Sequence, residues 1–278
     1  LTGNNLAGNV MYGIELGVLY RGERELCFLP LAHAYSCAFN FLVPMAVGAH
    51  VYLLGKVPSP KILLKAFEEV KPNLILTVPL ILEKIYKKMI LPQLSKTTMK
   101  VALNIPLLDS RIYAQIRKKL VDAFGGRFRE VIVGGAAMNE EVTNFLYKIK
   151  FPFTIGYGMT ECGPLISYDH NDEYVPGSCG QILKGIMKVR IDSEDPYNKV
   201  GEIQVSGENV MKGYYKNEEA TSKVFTEDGW LRTGDLGTID ADNRIYIRGR
   251  SKTMILGASG QNIYPEEIES KLNNLPFV

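Results

Sequence analysis

The feature that most constrains this chain is a change of hydrophobic period partway along it. Up to about residue 160, short apolar runs alternate with segments whose apolar residues recur every three to four positions. From about Gly177 the pattern becomes short stretches of period two with glycines between them. Helices show the first period and half-buried strands the second. The order predicts an α/β layered sheet followed by a small antiparallel β subdomain.

Within the first region, Leu6, Val10, Ile14 and Val18 share one helix face. Glu25 to Leu29 is a short apolar run, and 34–47 reads as a buried helix made irregular by Pro44. His50–Leu54, Pro60–Val70 and Asn73–Val78 read as a strand, a helix and a strand, a unit whose crossover is almost always right-handed. Ile112, Ile116, Leu120 and Phe124 repeat every four residues and stop at Gly125-Gly126. Asn139 is placed to cap a helix over 140–149 after a strand at Val131–Val133. Past Gly249, a strand at Thr253–Leu256 and a helix from Pro265 are expected. The division expected is 1–170 as a partial α/β domain, 171–249 as a β-rich subdomain, and 250–278 as a hinge and the start of a further α+β domain.

Composition narrows the function classes. An apolar share of 46% with 22% charged residues excludes a disordered, collagen-like or coiled-coil chain. The formal charge of +2 gives no global electrostatic case for nucleic acid or for an anionic membrane. Cys27, Cys37, Cys162 and Cys179 form no C-x-x-C pair, and His33, His50 and His170 lack zinc-ligand spacing. His33 and Cys37 stand at i, i+4, where a shared helix face lining a core or pocket is the reading favoured over a metal pair. The longest apolar stretch, Ala38–Leu54, is interrupted by Asn40, Pro44, Gly48 and His50, so no membrane span is expected. Reduced cysteines and the absence of a signal peptide point to the cytoplasm. The start at Leu1 suggests a piece of a longer protein.

Candidate chemistry gathers at glycine-rich junctions. Gly134-Gly135-Ala136-Ala137 lies between a strand and a helix, where backbone can approach a ligand, although for the segment alone a tight turn is the favoured reading. Gly156-Tyr157-Gly158-Met159-Thr160-Glu161 begins like a dinucleotide fingerprint, but Glu161 occupies the third glycine position. A ring that can stack, a hydroxyl that can bond phosphate and a carboxylate that can hold Mg²⁺ remain there. Asp235, between Gly234 and Gly237, can accept from two ribose hydroxyls or simply form an Asx-turn. Arg250-Ser251-Lys252 reads as a hinge or as a solvated linker. Lys84, Lys87, Lys88, Arg117, Lys118 and Lys119 read as solvated helix faces.

Taken in order, these pieces resemble the AMP-forming acyl-CoA synthetases of the adenylate-forming family. The matching segments are Phe28-Leu-Pro-Leu-Ala-His33, Gly134-Gly-Ala-Ala-Met138, Tyr157-Gly-Met-Thr-Glu161, Gly229-Trp-Leu-Arg-Thr-Gly-Asp235, Gly249-Arg-Ser-Lys252 and Gly260-Gln-Asn-Ile-Tyr-Pro265. The first and fifth look most like bacterial long-chain fatty-acid ligases. The resemblance implies two steps: ATP and a carboxylate give acyl-AMP and pyrophosphate, and CoA then gives the thioester and AMP. It implies adenine stacking on Tyr157, an adenine and acyl groove at Gly135 and Ala136, and an α-phosphate contact from Thr160. It further implies Mg²⁺ on Glu161, ribose on Asp235 with Arg250 close by, a hinge at Lys252, and a CoA tunnel at Gly257 and Gly260. His33 would border the acyl pocket.

The small-molecule partners implied are ATP, Mg²⁺, a fatty acid and CoA. Nucleic acid is not among them, and peripheral contact with the inner membrane stays open. The family's phosphate loop would lie before Leu1 and its C-terminal lysine after Val278, so this chain alone is not expected to turn over. Glu218 stands where the family carries proline, and only a local loop effect is expected. An acyl-AMP ligase, an aryl-CoA ligase and a non-catalytic nucleotide- or acyl-binding module are the alternatives.

Overall fold

The computed structural model describes residues 1–105, 108–256 and 262–272. By contacts they fall into two units. One holds residues 1–12, 155–169 and 173–278, and the other holds residues 13–154 and 170–172. The boundaries read from the sequence at 170 and 249 follow the order of the chain, whereas the contacts group its first turns of helix with its later β-rich part.

In chain order, α1 (Gly3–Glu15) precedes β1 (Arg24–Cys27), α2 (Ala34–Ser36), α3 (Val43–Val47) and β2 (His50–Leu53). Then come α4 (Pro60–Val70), β3 (Leu74–Thr77), α5 (Pro79–Ile85), α6 (Leu91–Leu94), α7 (Thr97–Ala102), α8 (Leu108–Ala123), β4 (Glu130–Val133), α9 (Glu140–Lys148) and β5 (Phe153–Ile155). The sheet runs β2-β1-β3-β4-β5. Its β1–β2, β1–β3 and β3–β4 pairs are parallel. Every residue of β3 and of β4 is buried, which is why Leu74–Leu76 and Val131–Val133 read as short apolar runs rather than alternating ones.

The helices around the sheet follow local rules. Ser59 Oγ accepts from Ile62 N at 3.4 Å and Pro60 takes the first turn of α4. Leu63, Ala66, Phe67 and Val70 form its buried face. Asn139 Oδ1 accepts from Glu141 N at 3.0 Å and Val142 N at 3.3 Å, capping α9 where the sequence places the cap. Phe67 and Phe124 pack at 5.1 Å between ring centroids, and Phe124 meets Phe151 at 5.8 Å. Gly125, at φ +92, closes α8 so tightly that a Cβ would stand 2.5 Å from Phe67 O.

The irregularity expected at Pro44 is a six-residue π-helical segment, Cys37–Leu42, lying immediately before α3. A second, Tyr86–Ile90, stands before Pro92. Proline lacks an N–H, and its ring displaces the carbonyl one turn back. The ladder is widened just upstream in both cases, with Val43 N bonding Ala38 O and Leu91 N bonding Tyr86 O. His33 does not share a helix face with Cys37. It is exposed, with extended backbone (φ −83, ψ 136), one residue before α2.

Two strand carboxylates are buried in this unit. Glu130 is met by His170 Nδ1 at 3.3 Å and by Asn171 N at 3.2 Å. Glu25 accepts from Asn40 Nδ2 at 2.6 Å on one oxygen, and its other oxygen has no hydrogen-bond partner among the described residues.

Among the described residues the other unit carries two larger antiparallel sheets and a third of two strands. β6 (Tyr157–Gly158), β7 (Leu165–Tyr168) and β8 (Gln181–Ile182) form one. β9 (Met187–Asp192), β10 (Gly201–Gly207), β11 (Leu231–Ile239) and β12 (Ile245–Arg250) form the other, in the order β12-β11-β10-β9. α10 (Glu218–Val224) lies between β10 and β11 and begins at Glu218, with Asn217 as its cap. β13 (Ile255–Leu256) pairs with β14 (Asn262–Ile263), and α11 (Pro265–Leu272) follows. No described helix is long and apolar enough to cross a membrane.

Candidate active site

The segment 156–161 is built by close backbone approach. A Cβ on Gly158 would stand 2.2 Å from Pro164 O, so β6 meets the 163–165 turn in a way only glycine permits. After Met159, Thr160–Cys162 make one 3₁₀ turn closed by Gly163 at φ +67. Asn9, fully buried on α1, holds this turn from beneath. Its Nδ2 donates to Asn5 O at 2.8 Å and Cys162 O at 3.2 Å, and its Oδ1 accepts from Leu165 N at 2.9 Å. Asn5 Nδ2 donates to Glu208 O and Val210 O, each at 2.9 Å. Replacing Gly158 with alanine should therefore lower stability by about 1–3 kcal/mol through overpacking, read as an earlier denaturant midpoint. An unchanged midpoint would contradict this account of the turn.

Thr160 is exposed at the head of the turn. Glu161 is half-buried, and its Oε1 accepts from Tyr214 OH at 2.8 Å while its main-chain oxygen accepts from Met211 N at 2.7 Å. Burial, together with the Glu161 carboxylate, pushes the Tyr214 phenol up to about 12, so it stays a donor. The neighbouring Cys162 thiol is raised by burial and then by the Glu161 charge, which leaves it unreactive.

Tyr157 and Asp235 are joined directly. The phenol donates to Asp235 Oδ2 at 2.7 Å. Burial, and then the Asp235 charge, hold that phenol well above its ordinary range. The second oxygen, Oδ1, lies 3.1 Å from Arg250 Nε, its register partner across β11 and β12. Gly234 at φ +75 and the Thr233 hydroxyl, which accepts from Asp235 N at 3.1 Å, set the carboxylate. A carboxylate has about four lone-pair sites; Tyr157 and Arg250 take two. The Arg250 side chain is 72% exposed, so its terminal nitrogens can meet an anion. The Tyr157 ring is only 7% exposed, so a base stacked on it would have to meet a face that protein now covers.

Lys252 is exposed in the turn after β12, where Thr253 N and Met254 N return to Arg250 O. Gly135, at φ +87, and Ala136 form an exposed stretch between β4 and α9, in the unit of residues 13–154 that also holds His33. Gly257 and Gly260 lie outside the described residues. Sequence reasoning missed Asn5, Asn9 and the pairing of Tyr214 with Glu161. A signal existed for the asparagines, since two at i, i+4 inside an apolar helix are poor helix formers that need a reason to be there.

The residues suit the groups the resemblance implies. Mg²⁺ is commonly held by one or two carboxylates together with substrate phosphates. Glu161 offers one such carboxylate with Oε1 fixed by Tyr214. Among the described residues there is no cluster of three or more metal-binding side chains.

The profile of the AMP-binding enzymes matches residues 1–215. The chain belongs to this adenylate-forming family. Among curated relatives it is 28% identical over 276 residues to long-chain-fatty-acid–CoA ligase 1 of Saccharomyces cerevisiae, covering 92% of this chain and 39% of the relative. It is 31% identical over 264 residues to 4-coumarate-CoA ligase 1 of Narcissus pseudonarcissus, covering 90% and 42%. Among solved structures it is similar to O-succinylbenzoate coenzyme A synthetase (MenE) of Bacillus subtilis in complex with ATP and magnesium ion. That match has a TM-score of 0.75 at 25% identity and covers 98% of this chain and 51% of that one. The chain thus spans about two fifths to a half of the length of these relatives.

Proposed function

We propose that this chain is the nucleotide-binding portion of an AMP-forming carboxylate–CoA ligase whose acid is a long-chain fatty acid. The observation that carries the reading is the joined set Tyr157–Asp235–Arg250, beside Glu161 held by Tyr214, all within one unit. Asp235 accepts the ribose hydroxyls on its remaining lone pairs, and Tyr157 and Arg250 keep it oriented. The Arg250 guanidinium and the exposed Thr160 hydroxyl meet phosphate oxygens. Glu161 would hold Mg²⁺, which when bound supplies charge stabilisation at the α-phosphate. Lys252, in the turn after β12, is the pivot at which a following domain turns between half-reactions. Roles for Gly135, Ala136 and His33 at the adenine and acyl groove, and for Gly257 and Gly260 at a CoA tunnel, rest on the resemblance.

Relatives acting on fatty acids and on 4-coumarate lie at similar identity, so an aryl acid is the second reading. The test is thioester formation by the protein carrying this chain at the length of its relatives, with a panel of fatty and aryl acids and free CoA. Thioester with fatty acids alone supports the proposal. Thioester with aryl acids alone selects the second reading. Acyl-AMP without thioester selects an acyl-AMP ligase, and no reaction with any acid selects a binding module.

A further inference from the structure

The chain's small net charge conceals a strong segregation. Residues 84–119 hold nine lysines and arginines against the single Asp109, so this stretch carries +8 of a total of +2 and the remainder carries −6. Within the same stretch the fold leaves a run of apolar residues unburied. Between Ile90 and Ile116 no described side chain is buried, although the sequence there includes Leu91, Leu94, Met99, Val101, Leu103 and Ile105. Val101 is 60% exposed and Ile105 47%.

Exposed basic and exposed apolar positions share this one stretch of chain. Leu80, Lys84, Lys87 and Lys88 are the exposed positions along α5 and the π segment after it, at i, i+4, i+7 and i+8. Lys119 and Ile116 of α8 meet Met89, Ile90 and Gln93 around one small cavity, so Lys119 lies against the end of the π segment. Among the described residues, no ion pair involves Lys84, Lys88, Lys118 or Lys119.

From this juxtaposition we propose that residues 84–105 and 108–119 form a peripheral docking surface for an anionic lipid bilayer. Short helices lie in the interface, with aliphatic side chains entering the headgroup boundary and lysines meeting lipid phosphates. Interfacial helices combine these two features, and basic residues near an anionic leaflet add their attractions. A second copy of the chain would set one strongly positive surface against another. A nucleic acid would press phosphates against Leu80, Val101 and Ile105, which offer them nothing. The proposal is independent of the ligase reading, because vesicle binding requires neither nucleotide nor acid.

The experiment is cosedimentation of the chain with phosphatidylcholine vesicles, with and without phosphatidylglycerol, at low and high salt. Binding is expected to anionic vesicles only, and to weaken with salt. Joint replacement Lys84→Gln, Lys88→Gln, Lys118→Gln and Lys119→Gln should reduce partitioning about five-fold per lysine, on the order of hundreds-fold together. Val101→Asp with Ile105→Asp should weaken binding at both salt concentrations. These positions are exposed, and circular dichroism of each variant confirms its fold. Equal partitioning to neutral and anionic vesicles, or a quadruple variant that binds like the parent, would overturn the proposal. So would retention of a DNA duplex without retention of vesicles.

Discussion

Replacing Asp235 with alanine is expected to lower the affinity for AMP and ATP on the order of a hundred-fold or more, the loss of two hydrogen bonds to a charged acceptor. The same change strands the Tyr157 hydroxyl, whose acceptor at 2.7 Å is Asp235 Oδ2. A buried donor left unsatisfied costs about 1–3 kcal/mol, so the unfolding midpoint should fall as well. The two effects separate in the double variant Tyr157→Phe with Asp235→Ala. Removing the hydroxyl restores much of the lost stability, but nucleotide affinity does not return. Calorimetric titration with AMP and a denaturant melt of each variant read both quantities. Unchanged affinity in Asp235→Ala would remove ribose binding from this residue.

The largest effect on stability should come from Glu25. It is fully buried on β1, and burial raises its carboxyl to about 8 from an ordinary 4.5. The Asn40 amide, which pulls it back down, is outweighed. The titratable neighbours Cys27 and Tyr35 both feel its charge. Because the folded state holds this proton more tightly than the unfolded chain, the contribution is fully present below about 4.5 and is lost as pH rises through about 8. The slope in that window is about 1.4 kcal/mol per pH unit. Glu25→Gln should therefore match the parent near the acid end of the window and be the more stable protein above its upper end. Urea melts of both proteins across the window measure the difference. Parallel pH profiles for the two would show that Glu25 does not carry the shift.

Much of the fold was legible because its signals are local. The Asn139 cap, the glycine stop after α8 and the change of period near Gly177 each depend on a few adjacent residues. The burial of β3 and β4 appeared as the short apolar runs Leu74–Leu76 and Val131–Val133. The π segments were only half legible: Pro44 announced an irregularity, but how the ladder rearranges depends on packing. Glu25 and Glu130 could not be read as buried acids, since a carboxylate in a short apolar run looks like the polar side of a strand.

The candidate site divides in the same way. Tyr157, Thr160 and Glu161 stood out through their density in one stretch, and Asp235 through its glycines. What sequence reasoning could not supply was their pairing. Tyr157 and Asp235 are 78 positions apart, and Glu161 and Tyr214 are 53 apart. Contacts at such separation follow from sheet order and from the asparagines of α1, not from any local pattern. The docking surface was legible as charge but was read there as solvated helix faces. Its apolar half emerged only with the exposure of Val101 and Ile105.

The measurement that bears most directly on the account is carboxylate-dependent exchange of labelled pyrophosphate into ATP, without CoA, in the protein carrying this chain at the length of its relatives. It reports the adenylation half-reaction alone, in both directions. The account predicts exchange that requires Mg²⁺ and a fatty acid and falls to background in Glu161→Gln and in Asp235→Ala. Full exchange in both variants would contradict the assignment of the site, and no exchange with any acid would contradict adenylation itself.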